Sequence, residues 1–138
     1  MIWESGQVTT PTDPAPSDPA PVDPDCLFCK IVAGDIPATL VHESETTVAF
    51  RDLNPQAPTH VLVIPRSHYP DAATLAQSEP ATAAHLFDAA REIAAAEGLD
   101  GADGGYRMVL NTGAAAHQTV FHAHLHVLGG RSMTWPPG

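Results

Sequence analysis

From Phe121 to Val127 the chain alternates without a break between apolar residues and histidines, and Leu128 follows: Phe121-His122-Ala123-His124-Leu125-His126-Val127-Leu128. Strict alternation is the period of a half-buried strand, whose side chains point to opposite faces in turn. Phe121, Ala123, Leu125 and Val127 are therefore expected on a core face, and His122, His124 and His126 on the other. Three imidazoles in register are poor packing material, because each needs hydrogen-bond partners once buried. Same-face neighbours lie about 6.6 Å apart along a strand. A single tetrahedral zinc, with Zn–N bonds of about 2.0–2.1 Å, therefore reaches two of the three at most. At least one imidazole is left for acid, base or nucleophilic chemistry.

The rest of the chain supplies a scaffold for this strand. Residues 39–43 and 46–52 read as strands around a Glu43-Ser44-Glu45 turn, and Asn54-Pro55-Gln56-Ala57-Pro58 as a loop. His60–Ile64 is a continuous apolar strand, expected to be central and covered on both faces, and Pro65 stops it. Residues 26–33 form a short helix ended by Gly34, and residues 71–77 a helical turn. A long helix is expected over 79–97, with Ser78 as N-cap, Pro80 in its first turn and Gly98 as C′. Its core stripe is Leu86, Phe87, Ala90, Ile93 and Ala94. Tyr106–Asn111 is a further strand. Five strands without βαβ alternation predict an α+β fold with an antiparallel sheet.

Charge and composition narrow the class. The chain has 138 residues, which suits one domain, and a net charge of −10, which disfavours a nucleic-acid partner. No stretch approaches the roughly 18 apolar residues of a membrane span, and the N-terminus lacks a basic, apolar leader. A cytoplasmic protein is the expectation. Residues 1–25 hold six prolines and five acids and no Lys or Arg, so they are expected to be a disordered tail ahead of a domain at 26–138. Ile2 and Trp3 are the tail's bulky apolar residues and its candidate anchor. Cys26 and Cys29 form a Cys-x-x-Cys pair, which points to metal or redox chemistry before a structural disulfide.

His-x-His-x-His followed by two apolar residues resembles the signature of the histidine triad (HIT) superfamily. Three further blocks are similar to its Hint branch, the purine nucleoside phosphoramidases: Cys26–Pro37, Ala49–Asp52 with Pro55–Pro65, and Leu128–Gly138. The resemblance covers residues 26–138. It implies a HIT fold, with a five-stranded antiparallel sheet, one long helix and a short N-terminal helix, paired into a homodimer. It further implies cleavage of the P–N bond of purine nucleoside 5′-phosphoramidates, with no cofactor needed for the chemistry itself.

Residue by residue, the resemblance makes His124 the nucleophile that forms a nucleotidyl-imidazole. His126 and His60 become the neighbouring imidazoles at the phosphate. Asn111 and Thr119 become contacts to the leaving group, Thr119 standing where Hint proteins usually carry Ser. Asp52 takes the ribose hydroxyls, and Leu27, Phe28, Ile31, Ile36, Phe50 and Leu53 form the purine clamp. Gln118 and His117 sit in the phosphate loop, where Ala116-His117 replaces the usual Gly-Gly. Trp135 and the C-terminal segment cross to the partner's active site. A structural Zn²⁺ is implied on Cys26, Cys29, His68 and His122. His42 and His85 are read as surface residues. The competing readings are a dinucleoside polyphosphate hydrolase or nucleotidyltransferase of the same superfamily, a nucleotide-binding interaction module with little turnover, and a catalytic metal centre at the histidines.

Overall fold

The computed structural model describes residues 21–138. The tail expected at residues 1–20, with Ile2 and Trp3, lies outside the described residues. In chain order the elements are α1 (Leu27–Ala33), β1 (Leu40–Glu43), β2 (Thr47–Arg51), β3 (Thr59–Pro65), α2 (Ala72–Ser78), α3 (Pro80–Ala96), β4 (Tyr106–Val109) and β5 (Leu125–Gly129). The strands make one sheet in the order β1-β2-β3-β5-β4, every pair antiparallel. This is the expected α+β architecture with a five-stranded antiparallel sheet.

The continuous apolar run of β3 sits at the centre of the sheet, buried along its whole length. Its two faces serve two cores. Val61 and Val63 pack with Leu75 of α2, Leu86, Ala90 and Ile93 of α3, and Ala123, Leu125 and Val127. Leu62 and Ile64 pack with Phe28 of α1 and with Val48 and Phe50 of β2. Full burial of each aliphatic side chain is worth about 1.5–3 kcal/mol, so β3 anchors both layers. The sheet is thus covered from both sides, with α1 and the histidines opposite α2 and α3.

Three further expectations change. Ser78 is the last residue of α2, not the N-cap of α3, and Glu79 separates the two helices in a non-helical conformation (φ −139°, ψ 70°). The cause is Pro80 at N1, which disfavours helical backbone at the residue before it. Phe87 is 47% exposed rather than in the stripe, whose buried residues include Thr82 and Ala89. The strand expected over 106–111 ends at Val109, whose partner His126 lies next to the start of β5, and Asn111 falls in the following loop.

The triad strand is itself shorter than its alternation suggests. It begins at Leu125, opposite Val63. Continuing the ladder would set Ala123 against Pro65, which has no N–H to give. Instead the Ala123 N–H donates to the Tyr69 carbonyl at 2.8 Å. Ala123, Leu125 and Val127 keep their place in the core, but Phe121 is 53% exposed. Residues 21–25, expected in the tail, are bonded to the domain: the His68 N–H donates to the Pro21 carbonyl at 2.7 Å. Among the described residues no helix is long and apolar enough to cross a membrane.

Candidate functional site

Helix α1 stands between two clusters and contributes to both. Its N-cap is Cys26, whose sulfur accepts the Cys29 N–H at 3.3 Å, and its end is closed by Gly34 at φ 83°, a conformation glycine adopts without strain. Phe28 is wedged between the clusters, edge-on to His122 at 5.9 Å and to His124 at 5.2 Å.

The first cluster joins Cys26, Cys29, His68 and His122, whose potential ligand atoms all lie within 4.8 Å of one another. Nδ1 of His122 is 3.4 Å from the Cys26 sulfur, 3.6 Å from the Cys29 sulfur and 3.2 Å from Nδ1 of His68, and that nitrogen is 3.4 Å from the Cys29 sulfur. Zinc bonds of about 2.3 Å to sulfur and about 2.05 Å to nitrogen put tetrahedral donors about 3.4–3.8 Å apart, so the spacing fits that ion. The proton order fits too. Nε2–H of His122 donates to the Pro65 carbonyl at 2.9 Å, which leaves the Nδ1 lone pair facing the cysteines. His122 is fully buried, and burial pulls its pKa down to about 4, keeping it neutral as a ligand must be. Burial pushes the Cys29 thiol up, against the pull of the Asp23 N–H on its sulfur. Both cysteines are free of disulfides.

The second cluster follows the same segment of chain into a cavity of about 250 Å³. His124 donates from Nδ1 to the His122 carbonyl at 2.7 Å, so its Nε2 carries the lone pair. His60 accepts the Gln56 N–H on Nδ1 at 3.0 Å, so its proton is on Nε2, which lies 3.0 Å from Nδ1 of His126. His126 therefore carries its own proton on Nε2, a buried atom without a partner among the described residues. Burial lowers all three pKa values: His124 and His60 shift down, and His126 falls to about 4, helped by repulsion from its two histidine neighbours. At neutral pH the site thus holds neutral rings in ordered tautomers. One carboxylate stands beside them, with Asp52 Oδ2 3.5 Å from Nε2 of His60 and Oδ1 accepting the Asn54 N–H at 2.8 Å.

Ten of the residues singled out in the sequence line this cavity: Leu27, Phe28, Ile31, Ile36, Phe50, Asp52, Leu53, Thr119, His124 and His126. His60 stands behind His126. Four others lie outside the lining. Asn111 is in the loop after β4. Gln118 is buried, with its amide spent on the loop: Nε2 donates to the carbonyls of Pro70 and Val120, and Oε1 accepts the Gly113 N–H. His117 is exposed and left-handed (φ 65°) at the end of a short 3-10 turn. Trp135 is 81% exposed, on a segment held by Arg107 Nη2 donating to the Thr134 carbonyl at 2.8 Å. Residue-by-residue reading missed the backbone carbonyls of His122 and Pro65 and the N–H of Gln56, which set the histidine tautomers; main-chain groups carry no mark in residue type. It also missed Pro37, Ala38 and Val120 in the lining. A second, larger cavity, about 670 Å³ around Tyr106, Arg107 and Arg131, is not lined by any of the histidines.

A sheet carrying paired histidines over an apolar, acid-edged cavity defines a small-ligand site with nucleophilic capacity. The sequence model of the HIT domain matches residues 33–133, and the chain belongs to that family. A 14 kDa zinc-binding protein of Zea mays is 47% identical over 116 residues, covering 81% of this chain and 87% of its own. A HIT family hydrolase from Legionella pneumophila is 48% identical with a TM-score of 0.78, covering 83% of this chain and 100% of its own. A histidine triad nucleotide-binding protein from Candida albicans is 30% identical with a TM-score of 0.70, covering 81% of this chain and 83% of its own.

Proposed function

We propose that this protein is a nucleotide hydrolase that cleaves the P–N bond of purine nucleoside 5′-phosphoramidates, with His124 as nucleophile. One observation carries the reading: Nδ1–H of His124 donates to the His122 carbonyl, on a ring that lines the cavity. The hydrogen bond leaves Nε2 free to attack phosphorus, and the same carbonyl stabilises the positive charge the ring acquires as the N–P bond forms. The P–N bond then breaks and the amine leaves with a proton drawn from solvent, which the attacking water gives back in the next step. Water attacks phosphorus, the N–P bond opens, and the nucleoside monophosphate and neutral His124 are released. Nε2–H of His126 is the donor for a phosphoryl oxygen, and His60 holds it in that tautomer. The hydroxyl of Thr119 serves the leaving group from the cavity wall. Asp52 takes the ribose hydroxyls, and Leu27, Phe28, Ile31, Ile36, Phe50 and Leu53 clamp the base. The similarity to a hydrolase and to a nucleotide-binding protein supports this reading.

Zinc belongs to the same proposal as a structural ion on Cys26, Cys29, His68 and His122. Four protein donors complete a tetrahedron and leave no position for substrate, so its role is to tie α1 to the triad segment. A homodimer is proposed as well. Two observations support it: among the described residues β4 is an unpaired sheet edge with Met108 exposed on it, and Trp135 is 81% exposed. The free Cys pair suits a reducing, cytoplasmic setting.

The test is single-turnover hydrolysis of an AMP–amine phosphoramidate by wild type and His124→Ala. Loss of about 10³-fold or more, some 4 kcal/mol of transition-state stabilisation, with AMP binding and zinc content unchanged, is the expected result. A wild type that binds AMP and turns over nothing would remove the hydrolase reading and favour a binding module.

A further inference from the structure

Residues 21–25 share the acidic, proline-rich composition of the preceding stretch, and among them only Asp23 is even half-buried. Burial of apolar surface therefore does little to hold them. Their hydrogen bonds run instead to residues of the Cys–His cluster. The Pro21 carbonyl accepts the His68 N–H at 2.7 Å, and the Asp23 carbonyl accepts the Cys26 N–H at 3.1 Å. The Asp23 N–H donates to the Cys29 sulfur at 3.5 Å. The Asp23 carboxylate accepts the Asp25 N–H at 2.9 Å, closing a turn at the residue whose own N–H meets the sulfur. Three of the four donor residues are thus touched by this strap, and the fourth, His122, is held by the Pro65 carbonyl.

We propose that residues 21–25 are a closing strap for the metal centre, coupled to it in both directions: the bound ion holds the strap down, and the strap slows loss of the ion. The inference rests on the zinc reading above. Its physical basis is the state of the sulfur. A metal-bound thiolate is a charged acceptor and takes an N–H more strongly than a neutral thiol does. The strap therefore binds the loaded cluster better than the empty one, and linkage requires that the ion in turn be held better when the strap is docked. Asp23 is the positioning residue, through its main-chain N–H and its turn-forming carboxylate.

The experiment uses the full chain loaded with zinc and measures transfer of the ion to a chromogenic chelator. Asp23→Pro removes the donor N–H, and release about ten-fold faster than wild type is expected. Asp23→Ala keeps the N–H and loses the turn, so a smaller acceleration is expected. A second arm needs no variant. Amide exchange at Asp23 and His68 in the wild type should be slow with zinc bound and fast after chelation. Equal release rates in wild type and Asp23→Pro, or exchange indifferent to zinc, would overturn the strap while leaving the metal site standing. A wild type that takes up less than about one zinc per chain would overturn the zinc reading and the strap with it.

Discussion

Nε2 of His60 lies 3.0 Å from Nδ1 of His126, and the proton between them is assigned by a backbone group one loop away. The Gln56 N–H occupies Nδ1 of His60, so the His60 proton must sit on Nε2, and His126 must carry its own on the far nitrogen. That nitrogen is buried without a partner among the described residues, on a ring that lines the cavity. The order of protons is thus set before any substrate arrives, the preorganisation that lets a donor stabilise charge without rearranging.

The Gln56 contribution is its main chain. Gln56→Ala is expected to change single-turnover rates less than about two-fold, whereas Gln56→Pro removes the N–H and is expected to cost about ten-fold, the range of one lost hydrogen bond. Equal effects of the two substitutions in a rapid-quench assay would contradict the relay.

His126 makes stability depend on pH with a definite sign. Its pKa is about 4 when folded and near 6.5 when unfolded, so between those values the unfolded chain binds the extra proton. Its contribution is complete above about pH 6.5 and is lost as pH falls toward 4, on the order of 2 kcal/mol by pH 5. Urea unfolding at pH 7.5 and pH 5.0 should show a smaller drop for His126→Gln than for wild type. Parallel drops would mean that burial does not depress this group.

Removal of zinc should destabilise the fold more than it slows the chemistry. When free zinc exceeds the Kd a thousand-fold, the ion contributes about 4 kcal/mol. Chelation, or Cys26→Ser, is therefore expected to lower the melting temperature sharply. Hydrolysis measured well below that temperature should persist, because His122 offers its Nδ1 to the cysteines and not to the cavity. Complete loss of turnover in protein still folded by circular dichroism would instead place the metal in the reaction.

His117 occupies a left-handed conformation at φ 65°, which costs an L residue about 1–2 kcal/mol. His117→Gly relieves that strain and adds unfolded-state entropy, so a net gain of about 0.5 kcal/mol is expected in thermal unfolding. AMP affinity should be unchanged, because His117 is exposed and does not line the cavity. An affinity change beyond about three-fold would bring the residue into the site.

Much of the architecture was legible because it is local. The apolar run of β3, the Gly98 stop and the alternation around the histidines each reflect a period or a backbone preference that a short window of sequence carries. The cavity lining was legible for ten residues only through resemblance, since an isolated Leu27 or Phe50 reads as plain core. The length of the triad strand was not legible, because it is limited by Pro65, a residue 60 positions away that meets the strand only in the folded sheet.

The sequence by itself determined that three histidines share one face and that apolar residues at the intervening positions 123, 125 and 127 are available to bury, because side-chain alternation is built into extended backbone. Only the tertiary structure decided what each histidine does. The carbonyls of Pro65 and His122 and the N–H of Gln56 select the tautomers, turning His122 toward the cysteines, freeing Nε2 of His124 and leaving a donor on His126. The same holds for residues 21–25, whose composition reads as tail but whose backbone closes over the cluster. These choices are made by main-chain groups and by contacts far apart in the chain, which residue identity does not encode.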